Sequence, residues 1–348
     1  MKLKPLFAIG ALSALALAGC STPVESEPEP TQTAEAGPTL DSLYAAAKEE
    51  GSLTWYCHDP EVICNAVADG FEAEYPGVSV DVVRLASSEM AARFIAEKES
   101  NAPTADFLQG SSVVFFKQGL EDGLLTNYTE AGIPGFDQFP KEWVNPDGFP
   151  VALTAWVIAY NTDLVEKADV PASYEGLADP RWAGGKILMP DPTVSSAYPS
   201  GLATVAERFG GDKWLQALAD QDPVYVTAGM IPASASLAAG EAELQGIANV
   251  PALVDLQSKG APVDYVIPKQ VTGSYYIWGL NAEAAHPNAA RLFAAYIITE
   301  DANKIQFATN PGGVTAFLSP GDGVEVVLPD SKFESQSEID RINAILVS

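Results

Sequence analysis

Histidine, cysteine and clustered positive charge are what this chain has least of. Its 348 residues hold two histidines, three cysteines and 19 Lys+Arg against 46 Asp+Glu, for a formal net charge of -27. His58 and His286 lie far apart, and neither falls in HExxH or in a Cys/His spacing suited to zinc, so metallohydrolase chemistry has little to build on. No run of Lys or Arg offers a footprint for phosphate backbones, and an acidic surface repels them at long range, which argues against nucleic acid as a partner. No GxSxG elbow or SxxK context supplies a nucleophile, and carboxylate pairs in so acidic a chain are mostly solvated surface. The chain therefore reads as a non-enzyme with no cofactor and no metal site. It also has no apolar run of the roughly 20 residues that span a bilayer. What it does have is length and 47% hydrophobic residues, enough for two domains with real cores.

Lys2 and Lys4 precede an apolar stretch from Leu6 to Ala18, the layout of an export signal. The stretch closes in Leu17-Ala18-Gly19-Cys20, which resembles the lipobox of bacterial lipoproteins. That resemblance implies a signal peptide over 1–19, a palmitate-bearing Cys20 as the mature N-terminus, and an extracytoplasmic protein anchored to the bilayer on the outer or periplasmic side. Residues 21–39, STPVESEPEPTQTAEAGPT, are too poor in large apolar side chains to pack a core. As a flexible tether they reach roughly 25 Å.

Cys57 and Cys64 remain, in an exported chain where oxidation is permitted, and a disulfide is the favoured pairing over two free thiols. Pro60 suits the first turn of a helix, so that Cys57 in the preceding loop reaches Cys64 over one turn. Beyond Leu40 short β-rich runs alternate with helical patterns, the mark of α/β layers. Strands are expected over 53–56, 78–83, 105–108, 186–189, 246–249, 262–268 and 274–280, with helices between them. The apolar run from Phe149 to Tyr160 is too long for one ordinary strand and reads as a strand pair or a crossover between domains.

Five strings carry a family resemblance: LYAAAKEEGSLTWY (43–56), FEAEYPGVSVDVVR (71–84), AYNTDLV (159–165), LADPRWAGGKI (177–187) and NAARLFAAYIITEDANKIQFA (288–308). In this order they resemble solute-binding proteins of ABC importers, in the branch of ferric-ion-binding proteins and their relatives for thiamine, polyamines, phosphonates and sugar phosphates. The resemblance implies a two-lobed type II periplasmic-binding-protein-like α/β fold with hinge crossovers. Its expected parts are lobe 1 over 40–153, lobe 2 over 154–265, and a return segment over 266–348 that mostly rejoins lobe 1 and carries C-terminal helices. It further implies a monomer that takes a small-molecule solute to a membrane permease.

In open α/β sheets ligands bind beyond the carboxyl ends of strands, where helix starts present free N–H groups. Four loops have that form: Tyr56 to Asp59, Ala86-Ser87-Ser88, Gly110-Ser111-Ser112, and Pro192 to Ser196. The candidate ligand contacts are Tyr56, Ser87, Ser88, Gly110, Ser111, Ser112, Ser195, Ser196 and Tyr198. Asn249 is added by the resemblance, because an Asn neighbours the iron-binding tyrosine pair of the family. Val250 and Pro251 stand where that pair would be, and the adjacent Tyr275-Tyr276 falls in a strand that points one ring to the core and one to the surface. An oxyanion such as a phosphonate, phosphorylated sugar or carboxylate is therefore the expected solute, with ferric iron as the alternative. An exported lipid-anchored enzyme, or a ligand sensor, is the further competitor.

Overall fold

A parallel unit opens the fold, and sequence signals set its ends. The computed structural model describes residues 38–227 and 229–347; the signal segment, Cys20 and the tether up to residue 37 lie outside them. Helix α1 (Leu40–Glu50) starts where the Thr39 hydroxyl accepts from the Ser42 amide and stops at Gly51, whose φ of 79° is left-handed. Then come β1 (Ser52–Cys57), α2 (Glu61–Glu74), β2 (Ser79–Arg84), α3 (Ser87–Ser100), β3 (Phe107–Gly110), α4 (Val113–Glu121) and β4 (Leu125–Thr126). Strand β1 lies between β2 and β3, parallel to both. Cys57 and Cys64 are joined by a disulfide with their Cα atoms 6.2 Å apart, although Cys57 is the last residue of β1 and not part of a loop.

The apolar run after Phe149 is a single strand, β5 (Val151–Asn161), and all eleven residues are buried. Its length comes from serving two sets of partners. Beyond it lie β6 (Ile187–Pro190), α5 (Ala197–Ala206), α6 (Asp212–Ala219), β7 (Val224–Val226), α7 (Met230–Ala238), β8 (Leu244–Asn249), α8 (Val250–Ser258), β9 (Val263–Val266) and β10 (Gln270–Val271). The chain closes with β11 (Gly273–Asn281), α9 (Pro287–Ile297), α10 (Glu300–Gln306), β12 (Gly313–Val314), β13 (Glu325–Val326) and α11 (Gln336–Leu346). Residues 151–155 of β5 pair with β11 and residues 153–154 with β12, whereas 156–160 pair with β8 and 158–161 with β9, all antiparallel. The main sheet thus runs β2-β1-β3-β11-β5-β8-β6-β7. Gly273 is required at the first β11 pair, because a Cβ there would collide with the Thr154 carbonyl oxygen.

Apolar side chains divide where β5 changes partners. One cluster gathers Leu43 through Ala155 with Val271 through Val314. A second takes Trp156, Ile158 and Tyr160 on one face of β5, and a third takes Val157 and Ala159 on the other, as the two-residue period of a strand requires. Helix α9 turns Leu292, Phe293, Tyr296 and Ile297 inward, and the Glu50 carboxylate accepts the Asn288 and Ala289 amides at its start. Helix α11 packs on α5 and α6 and places Ile342 and Leu346 in the second cluster.

Candidate functional site

Three loops that follow β2, β3 and β6 meet at one cavity of about 690 Å³. Ser87 and Ser88 open α3, Ser111 and Ser112 precede α4, and Ser195 and Ser196 precede α5; all six line the cavity together with Tyr198. The loops are tied to one another. Ser87 Oγ accepts the Ser111 amide at 2.9 Å, which fixes the start of α3 against the end of β3. Ser112 Oγ caps α4 by accepting from Phe115 N at 3.3 Å, and Ser195 Oγ accepts from Ala197 N at 3.3 Å. The residues at the N-cap positions of α3 and α5, Ala86 and Ser196, provide no side-chain cap. Each helix start carries about half a positive charge, and residues at all three starts line one space.

Gly110 belongs to this construction without lining the cavity. It is the buried last residue of β3, and a Cβ on it would lie 2.8 Å from Met90 Cε and 3.0 Å from Ser87 Oγ. Glycine is what lets α3 dock so closely that Ser87 reaches the Ser111 amide. Behind the cavity, Trp156 is fully buried; its Nε1 donates to Ser274 Oγ at 3.1 Å and its ring lies 6.0 Å from that of Tyr198.

The start of β11 and the chain before α11 complete the lining with Gly273, Ser274, Tyr275 and Glu334. Tyr275 donates its hydroxyl to Pro329 O at 2.5 Å, and burial pushes this phenol, like that of Tyr198, up from its ordinary range. Glu334 is the single carboxyl among the lining residues, none of which is Lys, Arg or His. Burial, then the charges of Asp147 and Asp330, push it up to about 7.

Two candidates sit elsewhere. Tyr56 is buried in β1, where its hydroxyl donates to Glu97 at 2.6 Å and the Arg93 guanidinium lies 5.0 Å from its ring; burial and the Glu97 bond push it up to about 12. Asn249 ends β8 and turns its Oδ1 to the Ala252 amide at 3.1 Å, capping α8, whose first turn holds Val250 and Pro251. Asp59, in the first candidate loop, is buried and accepts from Gln109 and Gln306. The tyrosine pair does point to opposite faces, but neither ring is a surface ring: Tyr275 lines the cavity, and Tyr276 packs 4.9 Å from His58 and 5.1 Å from Phe307. Ser274, Tyr275 and Glu334 have no local motif to announce them.

Among the described residues no group of three or more His, Cys, Asp or Glu side chains is arranged to hold a metal ion. A separate cavity of about 790 Å³ is lined by Pro38 and by residues of 128–144, among them Ile133, Phe136 and Phe139, and shares no lining residue with the first. No helix among the described residues is long and apolar enough to cross a membrane.

Two α/β halves that share long antiparallel strands, with strand ends and helix starts converging between them, define the type II periplasmic-binding-protein fold. Residues 66–324 match the family model described as bacterial extracellular solute-binding protein, and the chain belongs to that family. Iron uptake protein A2 of Synechocystis sp. is 26% identical over 188 residues, 48% of this chain and 53% of that protein, so the match spans about half of that relative. Among solved structures, AfuA from Actinobacillus pleuropneumoniae with fructose-6-phosphate bound is 25% identical with a TM-score of 0.59, covering 86% of this chain and 98% of that one. Iron-bound HitA from Pseudomonas aeruginosa is 18% identical, with a TM-score of 0.61 over 85% and 98% of the two chains. An extracellular solute-binding protein from Bordetella parapertussis reaches a TM-score of 0.70 at 14% identity, over 85% and 98%.

Proposed function

We propose that this protein captures a small oxyanion-bearing solute, a phosphonate, phosphorylated sugar or carboxylate, in the serine-lined cavity and delivers it to a membrane permease. The observation that carries the reading is the convergence of three helix starts and six serines on one cavity whose lining holds no basic side chain. Such a lining binds an oxyanion through neutral donors and helix dipoles, as helix N-termini do for phosphate. A relative of 25% identity that holds fructose-6-phosphate supports the same class.

Residues 40–153 and 154–265 act as two lobes in this proposal, with β5 and β11 as the strands about which they close on the solute. Ser87 to Ser112 then approach the ligand from one lobe, and Ser195 to Tyr198 from the other. The chain works as a monomer held at the membrane by lipid on Cys20, with 21–39 as its tether. Replacing Cys20 with Ala releases it from membranes if the anchor is as proposed.

Native mass spectrometry of protein purified from its own host tests the solute class: a retained phosphoryl, phosphonate or carboxylate ligand is expected. A second reading, ferric iron as cargo, is favoured by the printed name of the curated relative, Iron uptake protein A2. Stoichiometric iron(III) with a visible phenolate charge-transfer band, lost in Tyr198→Phe, would replace the oxyanion reading.

A further inference from the structure

The cavity is lined by partial charge of both signs. Three helix starts, of α3, α4 and α5, supply the positive part without any basic side chain. Glu334, on the short segment that leads into α11, lines the same cavity. The groups that face this carboxyl come from three directions. Asp330 stands on its own segment. Asp147 comes from the loop that enters β5, and its Oδ2 is buried without a hydrogen-bond partner. Tyr275, from β11, is a neutral phenol already donating to Pro329 O. The cation nearest in sequence, Lys332, is shared between Asp330 at 3.2 Å and Glu207 at 2.6 Å. Glu334 itself forms no ion pair among the described residues. A pure oxyanion would satisfy the helix starts and leave this carboxyl uncompensated beside two like charges.

We propose that the solute is a small zwitterion, its oxyanion held by the serine loops and helix starts and its ammonium group received by Glu334. This rests on the oxyanion reading and adds the second charge. An ammonium beside Glu334 supplies the opposite charge that the protein withholds, and stabilises the carboxylate that burial and repulsion disfavour in the free protein. Binding of the zwitterion therefore releases a proton from Glu334 in the pH range where that carboxyl titrates, and its affinity rises with pH.

Isothermal titration calorimetry with matched probes tests this: phosphoethanolamine against ethyl phosphate, and 3-aminopropylphosphonate against propylphosphonate. Within each pair the phosphoryl group is shared, so the ratio of affinities isolates the ammonium. For the unaltered protein at pH 8 the amino member is expected to bind at least tenfold tighter, with the ratio narrowing by pH 6. In Glu334→Gln the ratio falls below threefold and loses its pH slope. Equal or tighter binding of the desamino probes by the unaltered protein overturns the proposal and leaves the oxyanion reading standing. So does a tenfold preference that persists, with its slope, in Glu334→Gln. Failure of all four probes to bind takes down the oxyanion reading and this proposal with it. The ratio in the unaltered protein is decisive even where the variant does not fold.

Discussion

Replacing Glu334 with Gln should stabilise the protein in a way that depends on pH. The carboxyl is pushed from its ordinary 4.5 to about 7, burial being the largest cause and Asp147 and Asp330 adding repulsion. At 1.36 kcal/mol for each pKa unit, ionising it costs the folded protein about 3 kcal/mol more than the unfolded chain. Because the folded value is raised, the folded state holds the proton more tightly between pH 4.5 and 7. The stabilisation from the neutral acid is complete below about pH 4.5 and is lost as pH rises through about 7. Glutamine keeps the shape and stays neutral. The variant should therefore match the parent near pH 4.5 and exceed it by about 2 to 3 kcal/mol at pH 8. For a chain of this size that is a rise in Tm of roughly 5 °C. Urea unfolding at half-unit steps from pH 4.5 to 8.5 measures the difference curve directly. Parallel curves, or a variant less stable at pH 8, would refute the reasoning and with it the electrostatic picture of this corner of the cavity.

Three further outcomes follow from the site's construction. Ser195→Ala with Ser196→Ala should weaken binding of a phosphoryl ligand such as fructose 6-phosphate by about 1 to 3 kcal/mol in calorimetry while lowering Tm only slightly, since the structural bond lost is the one from the Ala197 amide to Ser195 Oγ. Gly110→Ala should cost about 1 to 3 kcal/mol in urea unfolding and also weaken that ligand, because the added methyl meets Met90 and Ser87 and pushes α3 off the Ser111 amide. Cys57→Ala with Cys64→Ala should lose about 2 to 3 kcal/mol, the chain-entropy value for so short a loop, and a loss above 5 kcal/mol would show the bridge to be more than a local brace.

The parts of the fold legible in the sequence are those in which a local period and a local punctuation agree. β1 lies within a residue of the expected 53–56 at each end, and α2 begins at Glu61, directly after the Pro60 that suits a helix start. β5 is legible only in part, because the run 149–160 reads as a strand pair or a crossover, and only its partners β8 and β11, more than eighty residues away, make it a single strand that serves both. The site divides in the same way. Serines that follow strands fall in the loops at the strand ends, so the six that line this cavity could be named from sequence alone. Tyr56 and Asn249 sit just before such loops, but strand alternation sends the first into a bond with Glu97, and a helix start captures the second. Tyr275 and Glu334 reach the cavity through tertiary arrangement, and no window of sequence contains both them and the serines.

The overall charge and the proposed ligand pull in opposite directions, and the length scale decides which matters. A net charge of -27 repels an anion at long range, but at physiological salt the field of exposed carboxylates decays over about 8 Å. The helix starts act inside the cavity, within the first turn, where low dielectric strengthens them and salt screens them less. An acidic exterior therefore slows encounter with an anion without cancelling its capture. For a zwitterion the first penalty is smaller, since its ammonium offsets one unit of the phosphoryl charge. Ammonium toward Glu334 and oxyanion toward Ser87, Ser111 and Ser195 is the orientation that the lining residues favour. An acidic surface and a cationless anion pocket are then compatible parts of one device. A salt titration of the association rate separates the cases: added salt should speed capture of propylphosphonate and leave capture of 3-aminopropylphosphonate nearly unchanged.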